Sequence, residues 1–302
     1  MASAAGKLRL SPRALLDMAV LKRRLTGLPP GTPDTLYVGL TSRCDLACRH
    51  CKYRGGPAGP DIPPARLRRL LKEAAAAGIP RVAFFGGEPL LYPGLDAAVR
   101  LASRLGLFTQ LDTNGQRLGA ARAAELAAAG LSLAMISLHS AERSRHDALA
   151  GPGSFRKAEA AVAAALGAGL FVHVSSCLFS ARPGAAGVRR LLALARRLGA
   201  HGARTVMYSP RSGGKAAPSR RLAAALAAAA PDGFSRGCVR PGRRDCAAAA
   251  GEILFVDADL SVRSCPYSGR ALGRADRGLR RFFGGERTRP GIFPCHAPAR
   301  VC

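Results

Sequence analysis

Three cysteines stand close enough in the sequence to share one inorganic group. The stretch Thr41-Ser42-Arg43-Cys44-Asp45-Leu46-Ala47-Cys48-Arg49-His50-Cys51 spaces them as C-x3-C-x2-C. Three thiolates so near one another can each take one iron of a cubane cluster. The loop has no fourth cysteine, so one iron would stay open to a small chelating molecule. Zinc is the plainer alternative, although a structural zinc site normally takes four protein ligands.

Further groups along the chain could do chemistry. Gly86 and Gly87 are adjacent, so successive backbone groups there can point one way and approach a ligand closely. Glu88, which Pro89 follows, adds an acceptor for an ammonium. Thr113 and Asn114 sit before Gly115, and Ser137 closes a short apolar run. Read alone, Asn114 is a turn residue and Ser137 a buried hydroxyl. The C-terminal part holds Cys238, Cys246, Cys265, Cys295 and Cys302. Four thiolates there suit zinc as well as an iron–sulfur cluster. Cys177 stands by itself, and a buried cysteine usually acts as a small hydrophobe.

Cys44-Asp45-Leu46-Ala47-Cys48-Arg49-His50-Cys51 resembles the cluster motif of the radical S-adenosylmethionine (SAM) superfamily, and the resemblance extends in order and spacing over residues 36 to about 210. One departure is His50, where relatives often carry an aromatic residue. The resemblance implies a [4Fe–4S] cluster on Cys44, Cys48 and Cys51 whose open iron is chelated by SAM. It also implies reductive cleavage of SAM and a 5′-deoxyadenosyl radical that abstracts a substrate hydrogen. By the same resemblance Gly86, Gly87, Glu88 and Pro89 hold the SAM amino group, and Thr113, Asn114 and Ser137 make further SAM contacts. His139 stands where many relatives have Asp. His146-Asp147 and Gly151-Pro152-Gly153-Ser154-Phe155 resemble a stretch of peptide-modifying members. The C-terminal cysteines resemble the SPASM and twitch extensions, in which a Cys, a hairpin bearing Gly and a second Cys begin an auxiliary [4Fe–4S] site. Leu260 occupies the Gly position, while Val262 and the spacing to Cys265 are kept. The twitch form implies Cys246, Cys265, Cys295 and Cys302 as ligands, with Cys238 spare.

Hydrophobic periodicity supplies the elements that must position these groups. Strands are expected at 36–40, 81–85, 108–112, 133–137, 170–179 and 203–208. Helices are expected at 63–77, 94–105, 119–129, 154–168, 184–198 and 219–230. A further helix at 12–25 precedes a Pro/Gly linker, and a hairpin is expected at 253–256 and 260–262. Repeated βα units imply a parallel sheet with reactive groups at the strands' C-terminal ends. The expected architecture is a partial (β/α)6 TIM-like barrel with a small Cys-rich C-terminal appendage. Its parts are an N-terminal helix and linker (1–34), a core barrel (35–232) and an auxiliary-cluster region (233–302). Alternation along 170–179 puts Phe171, His173, Ser175 and Cys177 on one face. That face is the more polar, so it is expected inside the barrel, where Cys177 could donate a hydrogen atom to a substrate radical.

The chain has 302 residues and 48% hydrophobic residues, enough for a substantial core. No apolar run reaches the roughly 18 residues of a membrane span, and the start lacks the pattern of a secretory signal. A cytoplasmic protein is expected. Nine cysteines in such a chain point to metal or redox chemistry before disulfides. The net charge of +27 would ordinarily suggest nucleic acid. Only six of the 46 basic residues are Lys, however, and the arginines are dispersed without interleaved aromatics. The composition fits a G+C-rich genome. The leading expectation is a maturase of a ribosomally made peptide, served by a reductant such as flavodoxin or ferredoxin. The alternatives are a small-molecule dehydrogenase or molybdopterin-type cyclase, and a non-enzymatic zinc or nucleic-acid-binding protein.

Overall fold

Short apolar runs bounded by Gly or Pro form the parallel strands β1 (Thr35–Gly39), β2 (Arg81–Phe85), β3 (Phe108–Thr113), β4 (Leu133–Ser137), β5 (Phe171–Leu178) and β6 (Gly202–Met207). Their neighbours pair in chain order, from β1 through β6. The computed structural model describes residues 17, 18, 21, 24–29, 31–49, 51, 53, 59–178, 184–207, 228, 235–238, 247, 248, 250–268 and 271–283. Each helix lies between consecutive strands: α1 (Pro64–Ala76), α2 (Leu95–Arg104), α3 (Ala120–Ala129), α4 (Arg143–Ala150), α5 (Ser154–Gly167) and α6 (Gly184–Arg197). Helix α1 shows the reason for its form. A proline starts it, and Leu67, Leu70, Leu71 and Ala74 recur at helical spacing as its buried stripe. The helix expected at 219–230 falls outside the described residues except for residue 228.

The main core lies between sheet and helices. Leu36, Val38, Val82, Phe84, Leu111, Ala134, Ile136, Val172 and Val174 face outward into it. A second, smaller cluster of Leu21, Phe108, Leu133, Met135 and Phe171 closes the inside at the strands' N-terminal ends. Asp17 there accepts a bond from the Ser132 hydroxyl (2.7 Å). The opposite, C-terminal mouth is left to the polar groups and the cysteine loop.

The sheet does not stop at the division expected near residue 233. Strand β7 (Ser235–Cys238) adds to β6 in parallel. At the other edge β8 (Ile253–Val256) adds to β1, also in parallel. The expected hairpin does form, β8 pairing antiparallel with β9 (Ser261–Arg263), which β10 (Gly273–Arg274) extends. The result is one open ten-stranded sheet with β10 and β7 at its edges. Ala275, Leu279 and Phe282 join the main core, and Glu73 of α1 accepts the Leu279 amide (3.0 Å). No helix among the described residues is long and apolar enough to cross a membrane.

Candidate active site

The cysteine loop leaves β1 at the C-terminal mouth and is sewn to the loop after β2. The Leu40 amide donates to the Phe85 carbonyl (2.8 Å), Gly87 to Thr41 (2.7 Å) and Glu88 to Arg43 (2.8 Å). These bonds continue the β1–β2 ladder beyond its strands. Gly86 has φ +132°, and a Cβ on Gly87 would lie 2.1 Å from the Arg43 carbonyl oxygen. The close approach that requires these glycines is therefore to the cysteine loop itself. Arg43 forks onto Asp61 (2.7 and 3.2 Å) and donates to the Leu91 carbonyl (2.9 Å), which pins the loop from the α1 side.

Glu88 is the hub between the loops. It is fully buried and accepts from the Thr113 hydroxyl (2.7 Å), the Asn114 amide (2.9 Å) and the Leu90 amide (3.1 Å). Burial lifts its carboxyl to about 7, against the lowering effect of those donors. An ionised carboxylate offers about four acceptor sites, and the described residues fill three of them. Asn114 turns its side-chain amide to Asp45 (2.8 Å) and the Cys44 sulfur (3.8 Å). Arg117 holds Asp45 from the other side (2.8 Å).

Cys44, Cys48 and Cys51 form no disulfide and are half-buried. Burial, with a smaller contribution from Cys51, pushes the Cys44 thiol up to about 12 and the Cys48 thiol up to about 11. Among the described residues no three His, Cys, Asp or Glu side chains form a single-ion site. The thiols nonetheless fit a cubane, which takes one thiolate per iron and is tuned by hydrogen bonds to its sulfurs. Such donors are present: the Asn114 side chain toward Cys44, and the Tyr53 amide toward Cys51 (3.4 Å).

Helix α4, absent from the periodicity, braces the same loop. The Arg49 amide donates to the Leu149 carbonyl (3.1 Å), and Cys48 lies against the Ala150 carbonyl (3.9 Å). Asp147 caps α5 through the Gly153 and Phe155 amides (3.1 and 2.9 Å) and the Ser154 hydroxyl (3.2 Å). His146 is buried and stacks on His139, ring centres 5.4 Å apart. Its Nδ1 accepts the His139 amide (3.1 Å), and burial lowers its pKa to about 4. The resemblance to peptide-modifying relatives thus falls on a structural cap and a neutral buried histidine. His139 in turn accepts the Cys177 amide through Nδ1 (3.2 Å).

Inside the barrel, Arg204 on β6 pairs with Asp112 on β3. Its guanidinium also donates to the Ser175 hydroxyl (3.0 and 3.2 Å) and the Tyr37 hydroxyl (3.3 Å). Gln110 holds the other Asp112 oxygen (2.6 Å). Ser175 therefore faces inward, and Cys177, two residues further on, shares its face. Burial pushes the Cys177 thiol up to about 12, with Cys51 and Arg204 both in electrostatic range. Tyr267, two residues beyond Cys265, is in range of Arg204, Cys177 and Asp112.

The structure thus brings Cys44, Cys48, Cys51, Gly86, Gly87, Glu88, Pro89, Thr113 and Asn114 together at one mouth, with Ser137 and Cys177 on the inner wall. The side chains of Glu88 and Thr113 face each other and are buried. Cys246, Cys295 and Cys302 lie outside the described residues, as does the side chain of Cys238. Sequence reading missed Asp45, Tyr53, Asp112, Arg204 and Asp257. A charge in the middle of a buried parallel strand is a usable signal for Asp112 and Arg204.

Residues 38–180 match the family model described as the Radical SAM superfamily. A PqqA peptide cyclase of Bradyrhizobium diazoefficiens is 34% identical over 132 residues, 43% of this chain and 35% of that protein. One from Xanthomonas campestris pv. campestris is 33% identical over 179 residues, 58% of this chain and 46% of that protein. The matches therefore span about a third to under a half of these curated relatives. Among solved structures, Streptococcus suis SuiB bound to precursor peptide SuiA superposes with a TM-score of 0.67 at 16% identity, covering 91% of this chain and 69% of that one. Native anSMEcpe with bound AdoMet gives 0.61 at 14% identity, covering 84% and 81%. At those identities the superpositions speak to the fold, and the family model speaks to the cysteine loop and its neighbours. Residues 38–180 of this chain are thus similar to the radical SAM superfamily.

Proposed function

We propose that the whole chain is a radical SAM enzyme that takes a hydrogen atom from a ribosomally made peptide. The observation that carries it is the single loop bearing Cys44, Cys48 and Cys51 at the barrel mouth, locked to the Gly86–Pro89 loop by backbone bonds. When bound, the cluster and SAM would supply the 5′-deoxyadenosyl radical. The fourth acceptor site of Glu88 would take the SAM ammonium, and the Gly86–Pro89 backbone, Thr113, Asn114 and Ser137 border the same space. The peptide reading is supported by the PqqA peptide cyclases and by the SuiB and anSMEcpe structures. A flavodoxin or ferredoxin in the cytoplasm would provide the electron. Cys246, Cys265, Cys295 and Cys302 would hold an auxiliary [4Fe–4S] cluster, and Tyr267, two residues beyond Cys265, lies in electrostatic range of Arg204 and Cys177. Cys177 would face the peptide and return a hydrogen atom to its radical, and one electron from the same flavodoxin or ferredoxin with a proton from solvent would convert the resulting thiyl radical back to the thiol.

Anaerobically reconstituted protein given dithionite and SAM should release 5′-deoxyadenosine and methionine without any peptide. Cys48→Ala should abolish this, and undiminished cleavage by that variant would sink the reading. With a peptide, turnover in heavy water should place one deuterium in the product if Cys177 is the donor. Full turnover by Cys177→Ala would leave that thiol as packing.

A further inference from the structure

The hydroxyl of Tyr53, two residues past Cys51, donates to Asp257 Oδ1 at 2.7 Å, across 204 residues of chain. Both side chains are buried, each 9% exposed. Asp257 follows β8 and starts the β8–β9 turn. Its Oδ1 also accepts the Ala258 amide (3.0 Å), which fixes the carboxylate over the end of β1. Gly39 leaves room for it there: a Cβ on Gly39 would lie 2.8 Å from Asp257 Oδ1 and 3.2 Å from the Ala258 nitrogen. At the other end of the same residue, the Tyr53 amide donates to Cys51 Sγ at 3.4 Å. One residue thus joins the β8–β9 turn, through its hydroxyl, to the Cys51 sulfur, through its backbone amide.

We propose that Asp257 is a positioning residue for the cysteine loop: through the Tyr53 hydroxyl it holds the Cys51–Tyr53 turn so that the Tyr53 amide stays on the Cys51 sulfur. Hydrogen bonds to cluster sulfurs raise reduction potential, and groups that orient ligands control metal retention. The C-terminal hairpin is then part of the machinery of the first cysteine loop, whatever else its own cysteines bind. The proposal rests on Cys51 being a cluster ligand, as set out above.

The test uses Tyr53→Phe, Asp257→Ala, Asp257→Asn and Gly39→Ala in the full chain. Tyr53→Phe removes only the hydroxyl. It should release iron to a chelator about 10- to 100-fold faster than the parent and shift the cluster to a lower reduction potential. Asp257→Ala and Gly39→Ala should do the same, the latter by displacing the carboxylate. Asp257→Asn keeps an acceptor for the hydroxyl and should behave like the parent, which a general loss of packing would not predict. Hydrogen exchange on the metal-free protein adds a readout that needs no cluster: the Tyr53 amide should exchange roughly 5- to 10-fold faster in Tyr53→Phe and not in Asp257→Asn. If Asp257→Ala or Gly39→Ala fails to fold, Tyr53→Phe decides. Parental potential, iron release and Tyr53 exchange in that variant would overturn the proposal. A parent protein that binds no iron would instead sink the cluster reading, and the exchange comparison would still judge the positioning.

Discussion

At the scale of residues, burial sets the behaviour of the groups around the mouth. Glu88 and His146 are opposite cases. The folded Glu88 carboxyl titrates near 7 and an ordinary one near 4.5. Between those values the folded state holds a proton that the unfolded chain has lost. Its stabilising contribution is therefore present below about 4.5 and is lost as pH rises through about 7. Folded His146 titrates near 4 against an ordinary 6.5, so its contribution is present above about 6.5 and is lost as pH falls through about 4. Urea unfolding of the metal-free protein at pH values between 4 and 8 should show both slopes. Glu88→Gln should remove the loss on the alkaline side and His146→Gln the loss on the acid side. Variants whose pH slopes match the parent would mean that neither group is shifted by burial.

At the scale of elements, the described βα units and the β8–β9 hairpin follow their apolar periods within a residue or two, but α4 does not announce itself, and the backbone of the β8–β9 turn is decided only in the fold. Helix α4 reads Arg-Ser-Arg-His-Asp-Ala-Leu-Ala and buries only His146 and Ala150, too few positions for a helical stripe. Tertiary contacts with His139, Phe155 and the cysteine loop supply what periodicity does not. In the turn, Leu260 adopts the left-handed φ of +66°. That conformation costs a residue with a Cβ roughly 1–2 kcal/mol. The buried Leu260 side chain, 8% exposed in the main core, offsets the cost. Leu260→Ala loses the packing and keeps the strain, whereas Leu260→Gly loses the packing and the strain together. Chemical denaturation should therefore find Leu260→Gly more stable than Leu260→Ala by roughly 1 kcal/mol. At an ordinary position Gly is the less stable of the two, so that order here would mean the turn is unstrained.

At the scale of the whole molecule, the sheet is continuous from β10 to β7, and the division expected at residue 233 does not interrupt it. Residues 250–268 and 271–283 pack on β1 and α1 through Phe255, Val256, Leu279 and Phe282, so Cys265 sits on a segment anchored in the barrel core. With one cubane at each cysteine set, the reconstituted protein should hold about eight irons, and the combined change of Cys44, Cys48 and Cys51 to Ala should leave about four. Metal analysis that finds zinc in place of the remaining iron would remove the auxiliary cluster and leave the first loop as read.

What the sequence determined by itself was local: the C-x3-C-x2-C loop, the Gly-Gly-Glu-Pro segment, and the alternation of strand and helix. Each is written in neighbouring residues, through spacing, backbone freedom or period. Even the inward face of Cys177 followed from alternation along one strand together with its polarity. The tertiary structure alone decided which distant groups meet. Arg204 pairs with Asp112 across 92 residues of chain and Tyr53 with Asp257 across 204, and no period links such positions. The same holds for Glu88, whose carboxylate reads as open to a ligand in the sequence. Folding surrounds it with Thr113, Asn114 and Leu90, because the ends of β2 and β3 come side by side only when the sheet closes that part of the chain.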